Sequence, residues 1–401
     1  MLQPAQPRAQ LSSRHTFTLA ASLIVSALAS TSAPTPIYPI YQDLWGFTPV
    51  TVTVVFGTYA VSVLLALLTV GTLSDHVGRR PVLIAAVSGQ ILAMVVFAFA
   101  QGLIELLAAR TIQGLATGAI LSAVGATLID IDRDRSALTN AVVPTLGCAT
   151  GLLASALAVQ HLPQPTQSIY LILIAVFAAQ LLGVLAMRET GSHRPGGLAS
   201  LRPSFSMPVS VRRPLFTAIP VVIATWALAG FYGSLGPTLI SALSGSTSAL
   251  MAASPMFLLT ATGTLTVIAL RKVTPETLFG VGIVALIIGL VMTLAAIDAG
   301  SVTGFYLGTL AAGVGFGGGF QGGIRIVVPH AEPHNRAGVI SVLYSCCYLG
   351  FGAPTVVAGY LLTHHDVPLF IAREYGLALV ALTALTIIGF IRRAPVSVRE
   401  Q

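Results

Sequence analysis

From Leu44 to Ser74 the chain runs 31 residues without an Asp, Glu, Lys or Arg, and uncharged stretches of similar length recur from end to end. A helix that crosses the hydrocarbon core of a bilayer needs about 20 apolar residues. The pattern predicts twelve such helices, at residues 16–39, 50–73, 81–101, 103–130, 139–159, 168–187, 214–240, 248–270, 277–297, 302–328, 337–362 and 369–391. The expected fold class is therefore an all-α membrane protein with twelve transmembrane helices.

The longest polar segment, Glu189 to Arg213, is rich in Pro, Gly, Ser and Arg. That composition cannot bury a core, so it reads as a cytoplasmic linker, residues 189–213, between a six-helix bundle at 1–188 and another at 214–401. The halves echo one another. Asp134-Arg-Ser-Ala-Leu-Thr-Asn140 follows the fourth span and Asn335-Arg-Ala-Gly-Val-Ile-Ser341 follows the tenth, as two parallel repeats would require.

Composition agrees with this reading. Charged residues make up 8% of the chain, against about 25% in an average soluble domain, too few to solvate a globular surface. The formal net charge of +7 is a topology signal and no sign of nucleic acid. With the N-terminus in the cytoplasm, all of the 20 Lys and Arg fall on the inner side except Arg110, Arg325 and Arg373, which lie within spans. This asymmetry obeys the positive-inside rule and puts both termini in the cytoplasm. The first hydrophobic segment is too long, and too well followed by another, for a cleaved signal peptide. Cys148, Cys346 and Cys347 sit in spans without a His or carboxylate at ligand spacing, so no metal is expected and small apolar packing residues are the reading. No nucleotide loop, zinc signature or nucleophile elbow is present, and no cofactor is expected. An enzyme inside the membrane would want paired acids or mid-span histidines, whereas His364 and His365 lie at the outer end of the eleventh span.

Four features carry candidate chemistry. The second span ends in Gly71-Thr-Leu-Ser-Asp-His-Val-Gly-Arg-Arg-Pro-Val-Leu83. Gly71 would let a neighbouring helix approach, Gly78 would permit a tight turn, and Asp75 could accept from an arginine or a helix N-terminus. Matched at Gly71, Leu73, Ser74, Asp75, Gly78, Arg79 and Arg80, this segment resembles the signature between the second and third helices of the major facilitator superfamily, of the bacterial 12-helix type. The resemblance implies two pseudo-symmetric six-helix bundles that rock about a midplane cavity. It also implies gating roles for Gly71, Asp75, Gly78, Arg79, Arg80 and Asp130: the acid docks the loop at the start of helix 11 and shares a charge relay with Arg79 and an acid at the inner end of helix 4. Asp132 is an alternative to Asp130. His76 stands where the family has Arg or Lys, and is mostly neutral at pH 7, which implies a less tightly held gate.

Arg110 is the second feature, in Leu107-Ala-Ala-Arg-Thr-Ile-Gln-Gly-Leu-Ala-Thr-Gly118. Counted from Leu103 it lies about 10 Å inside the outer boundary, where a charge is costly and faces a cavity or a partner. The segment resembles the family's helix 4 motif, which implies a part for Arg110 in coupling or substrate binding. A structural arginine tied to backbone carbonyls is the competing reading, and Gln113, on the same face at i+3, would share its partner. In the fifth span, Gly147-Cys-Ala-Thr-Gly151-Leu152 resembles the family's antiporter signature but has Leu152 where that signature has proline; close helix packing explains the glycines equally well. In the tenth, Gly313-Val-Gly-Phe-Gly-Gly-Gly-Phe-Gln-Gly-Gly323 contains a GxGxxG. It lies inside an apolar span rather than after a strand, so small-residue packing on a possible bend is expected and no nucleotide site. Arg325 would snorkel or function near the inner interface.

The first span ends in Pro34-Thr-Pro-Ile-Tyr-Pro-Ile-Tyr-Gln42, and its prolines break or kink the helix. Tyr38, Tyr41 and Gln42 then line an outer mouth or form an aromatic belt. Trp226, Tyr232, Gln321, Tyr344 and Tyr348, with Tyr38, are the candidate cavity lining. The spans carry few fixed charges to match a charged nutrient. The leading expectation is thus a secondary active transporter for proton-linked efflux of small, largely apolar solutes, with protons as coupling ion, the lipid bilayer as environment, no nucleic-acid partner, and a monomer in a bacterial inner membrane. An uptake permease for a small metabolite and a non-transporting membrane sensor are the alternatives.

Overall fold

Hydrocarbon offers no water to the backbone, so each spanning segment must close its own hydrogen bonds. The computed structural model describes residues 11–71, 73–191, 207–332, 335–364 and 368–391, all without strands. Residues 192–206 of the predicted linker, His365 and the chain's terminal residues lie outside the described residues.

The chain divides into two compact units, Met1–Phe47 with Val54–Pro203, and Thr48–Thr53 with Ser204–Gln401. The first contains α1 (Ser13–Ser32), α2 (Tyr38–Trp45), most of α3 (Pro49–Thr69), α4 (Ser74–Val77), α5 (Arg79–Ala98), α6 (Leu103–Ile131), α7 (Arg133–His161) and α8 (Pro165–Ala186). The second contains α9 (Val209–Ser234), α10 (Gly236–Ser244), α11 (Ala249–Ala269), α12 (Pro275–Asp298), α13 (Val302–Val327), α14 (Arg336–His364) and α15 (Pro368–Ile391). Among the described residues 11 helical segments are long and apolar enough to cross a membrane, the first combining α1 and α2. The remaining long helix is α13, whose 26 residues include nine glycines that dilute its hydropathy. The long helices match the twelve predicted spans in order.

Two starts differ from expectation. The fifth span begins at Arg133, because the Asp132 side chain caps α7 by accepting from the Arg135 N–H at 3.1 Å. The seventh begins at Val209 and runs through Pro214. A proline inside a helix forfeits one backbone bond, so the residue taken as the boundary is not one, and residues 209–213 are helix rather than linker. The two echoing segments open α7 and α14.

The first helix of the chain is broken, as its prolines require. α1 ends at Ser32, Thr35–Ile37 form a 3-10 turn, and α2 follows. Pro34 and Pro36 have no N–H, so the carbonyls of Ser30 and Ser32 lose their helical donors. The second unit repeats the plan: α9 stops at Ser234 and resumes as α10, and both α2 and α10 end on left-handed glycines, Gly46 at φ 64° and Gly245 at φ 67°.

Close approach of backbones holds the helices together. Gly147 and Gly151 of α7 seat on α1, where an added Cβ would lie 2.8 Å from the Val25 carbonyl oxygen and 2.2 Å from that of Ala29. Proline is not lacking from α7, which contains Pro144. The glycines of α13 divide among three neighbours. Gly313 and Gly317 face α11, Gly319 and Gly323 face α9, and Gly315, Gly318 and Gly322 face α12. A Cβ on Gly282 would lie 2.2 Å from the Gly319 nitrogen, and one on Gly289 2.2 Å from that of Ala312. The GxGxxG is therefore part of a packing seam, the means by which helices associate in lipid without a hydrophobic driving force.

Gly289→Val should lower the melting temperature of the detergent-solubilised protein by the cost of overpacking, about 1–3 kcal/mol or more. Gly125→Ala, whose Cβ meets only the Asn140 side-chain oxygen at 3.9 Å, should leave it unchanged or raise it. Equal melting of the two variants would contradict the seam.

Candidate functional site

Asp75, Arg79, Arg80, Asp130 and Glu189 of the first unit gather at the turn between α3 and α5. Gly78 has φ 100° and ψ 155°, a conformation closed to residues with a side chain, and it turns the chain between α4 and α5. Arg79 then points into the unit, 8% exposed. Its guanidinium pairs with Asp75, donates to Ser74 Oγ at 2.7 Å, and reaches Asp130 Oδ2 at 3.3 Å. Of the two acids considered at the end of α6, Asp130 joins Arg79, whereas Asp132 caps α7 and pairs with Arg135. Arg80 closes the end of α8 by donating to the carbonyls of Val184 and Leu185. Gly71 is occupied locally: a Cβ there would lie 2.5 Å from the Leu67 carbonyl oxygen of its own preceding turn. That turn, and not a neighbouring helix, demands a glycine.

Glu189 completes this cluster and was read from the sequence only as the first residue of the linker. Its carboxylate accepts from the Arg79 N–H at 2.7 Å and the Arg80 N–H at 3.1 Å, and from the Gly191 N–H at 2.9 Å. No side chain at the start of α5 caps it, so an anion from beyond α8 satisfies the orphan donors and the positive end of the helix. A Cβ on Gly78 would lie 2.6 Å from this carboxylate. The signal in the sequence was the uncapped Gly-Arg-Arg start, which needs an acceptor from elsewhere.

Deeper in the same unit lies Arg110, 1% exposed. Four bonds use its donors: Nε and Nη2 to the Tyr38 hydroxyl, and Nη1 to the Thr31 carbonyl at 2.9 Å and the Gln113 side-chain oxygen at 2.8 Å. Gln113 in turn donates to the Ser30 carbonyl at 2.9 Å, which Pro34 leaves without a helical donor. Ser155 Oγ satisfies the Ala33 carbonyl in the same break. The rings of Tyr38, Phe56, Tyr59 and Phe97 surround the guanidinium at 5.5 to 5.8 Å, within cation–π range. Among the described residues no carboxylate pairs with it. The proline break and the buried arginine, separate in the sequence, are one construction. Tyr38 is thus a partner of Arg110, 4% exposed, rather than part of an outer mouth, and Tyr41 stacks on Trp45 with ring centroids 4.6 Å apart.

In the second unit Trp226 stands among Phe320, Tyr344, Tyr348 and Phe351, with ring centroids 4.8 to 6.5 Å away. Its indole N–H is buried without a hydrogen-bond partner. Three of the candidate lining residues, Trp226, Tyr344 and Tyr348, therefore come together. Tyr232 does not join them. It is a core residue, 1% exposed, its hydroxyl bonded to Thr293 and Thr309 at 3.1 Å each. Gln321 is half-buried and, at 100° per residue, projects between the faces of α13 that meet α11 and α12, away from the aromatic cluster. Arg325 donates to the Arg271 carbonyl at 3.3 Å and so ties α13 to the end of α11. The three cysteines are unpaired thiols, and the described residues contain no group of three metal-ligating side chains.

The sequence profile of the Major Facilitator Superfamily matches residues 19–272. A curated relative, the major facilitator superfamily multidrug transporter mfsB of Aspergillus fumigatus, is 30% identical over 100 residues, 24% of this chain and 16% of that protein. The chain thus aligns with about a sixth of that relative's length. The crystal structure of the human organic anion transporter TETRAN superposes with a TM-score of 0.69 at 19% identity, covering 95% of this chain and 100% of that one. That of the nucleoside transporter NupG superposes with a TM-score of 0.68 at 13% identity, covering 94% and 99%.

Glu189→Ala removes an exposed cap that accepts from three backbone donors and should cost about 0.5–2 kcal/mol. The purified protein should melt lower by roughly 2–4 °C per kcal/mol. Glu189→Gln, which keeps an acceptor oxygen, should lose less. Wild-type melting of both variants would show that the carboxylate does not hold this turn.

Proposed function

The chain belongs to the major facilitator superfamily and is a multi-pass membrane transporter rather than an enzyme; from that premise we propose that it exports small, largely apolar solutes by alternating access, in exchange for protons. The observation that carries this reading is the character of the buried polar groups. The one arginine deep in the first unit is enclosed by rings and neutral oxygens with no carboxylate partner among the described residues, and the second unit offers an aromatic cluster around Trp226. Such walls match apolar or aromatic solutes better than charged nutrients. The multidrug transporter named among the relatives supports efflux, over the short stretch it shares.

Arg110 does not release its proton. Its role in this reading is to exchange the Tyr38 hydroxyl for an anionic partner or a substrate carbonyl as access changes, with Gln113 holding the broken α1. The turn of Gly71, Asp75, Gly78, Arg79, Arg80 and Asp130 acts as the inner gate. The protein works as a monomer in a bacterial inner membrane with both termini in the cytoplasm.

In inside-out vesicles with an imposed pH gradient, a protonophore should abolish concentrative flux. Arg110→Ala should reduce flux severely while the protein stays membrane-inserted. Asp75→Asn should reduce it by up to about fivefold, because an ion pair this open to solvent is worth at most about 1 kcal/mol and biases a two-state gate by that much. Flux that follows sodium or membrane potential without a pH gradient would rule out proton antiport, and concentrative uptake in right-side-out vesicles would favour an uptake permease.

A further inference from the structure

In the long helices, Glu105, Asp130, Asp134, Glu276 and Asp298 all lie within three residues of a helix end. Glu374 is the exception. It is the seventh residue of α15, about 9 Å along the axis from Pro368, inside the segment Leu369–Ile387 that is apolar enough to cross a membrane. A carboxylate in such a segment is costly and calls for a partner. Among the described residues no cation pairs with it, and the adjacent Arg373 does not line the same space.

Glu374 borders a groove of about 730 Å³ between α9, α14 and α15. The rest of the wall is apolar, including Ile223, Ala227, Pro354, Val357 and Phe370. The groove is open on one side, where Val357 is 57% and Phe370 60% exposed. The Tyr375 hydroxyl is engaged by the Ala227 carbonyl at 2.9 Å, which leaves the carboxylate as the wall's unengaged polar group. The volume falls within the range of sites for drug-sized ligands, and a two-chained phospholipid is larger than that.

We propose that this groove binds lipophilic cations, the positive charge against Glu374 and the apolar body along α9 and α14. The site is distinct from the aromatic cluster around Trp226. The inference goes beyond the transport reading, and its test needs no gradient, so direction and coupling can fail without it.

The test is equilibrium binding of radiolabelled tetraphenylphosphonium to the full-length protein in a neutral maltoside detergent, with tetraphenylborate as an anion of the same shape. The phosphonium should bind saturably and the borate at least about tenfold more weakly. Glu374→Gln should weaken phosphonium binding about tenfold or more without lowering the melting temperature, and Glu374→Asp should retain most of it. Ala378→Trp, which fills the groove, should abolish binding, and it carries the test if Glu374→Gln cannot be purified folded. Unchanged affinity in Glu374→Gln overturns the proposal. So does loss of binding on Trp226→Phe with Glu374→Gln unaffected, which would place the cation in the aromatic cluster. A phospholipid retained by the wild type, lost from Glu374→Gln and not displaced by phosphonium would make the groove a lipid site and overturn it likewise.

Discussion

A guanidinium buried in a hydrocarbon-solvated bundle must find its hydrogen bonds inside the protein, and here a broken helix supplies them. A buried charge without partners is among the most costly things a membrane span can hold. An unsatisfied backbone carbonyl in the same setting costs several kcal/mol. Pro34 creates such a carbonyl at Ser30, which Gln113 reaches from α6, while Arg110 takes the neighbouring Thr31 carbonyl in the same break. Each feature alone would be a defect. Together they cancel, and the four rings around the cation attract the charge that no carboxylate neutralises.

The ionic cluster at the start of α5 works on a different scale. Asp75 is 46% exposed at its side chain, and an ion pair so open to solvent is worth only about 0–1 kcal/mol. The bond out of solvent there is Arg79 to Ser74, and Glu189, from the surface, adds bonds to the two backbone donors that no local cap satisfies. This division suits a gate. The solvated pair with Asp75 can part at little cost while the capped helix start stays intact.

Helix number, order and the ionic turn were legible in the sequence because each rests on local signals: charge-free length, and a spacing of Gly, Asp and Arg. Arg110 was legible as a problem, a charge too deep for its span, but not as a solution, because Thr31 and Tyr38 are far from it along the chain. Glu189 was missed for the same reason, since a cap supplied from beyond α8 leaves no trace beside the helix it caps. Tyr232 and Trp226 look alike in sequence, both aromatic with a polar tip in one span. Only packing separates them, one bonded between Thr293 and Thr309, the other with its N–H unpartnered among rings. Gln321 misled because a polar residue in an apolar helix invites a cavity, whereas the glycines around it fix which faces meet α9, α11 and α12 and leave it to neither task.

The claim on which the account turns is that Arg110 and the broken first helix stabilise one another. A double-mutant cycle on the melting temperature measures this directly, with Tyr38→Phe, Arg110→Met and their combination. Tyr38→Phe should cost about 1–3 kcal/mol in the wild type, where it strips an acceptor from a buried cation, and close to nothing once Arg110 is Met. The same cost in both backgrounds would mean that the hydroxyl and the guanidinium act independently, and would contradict the account.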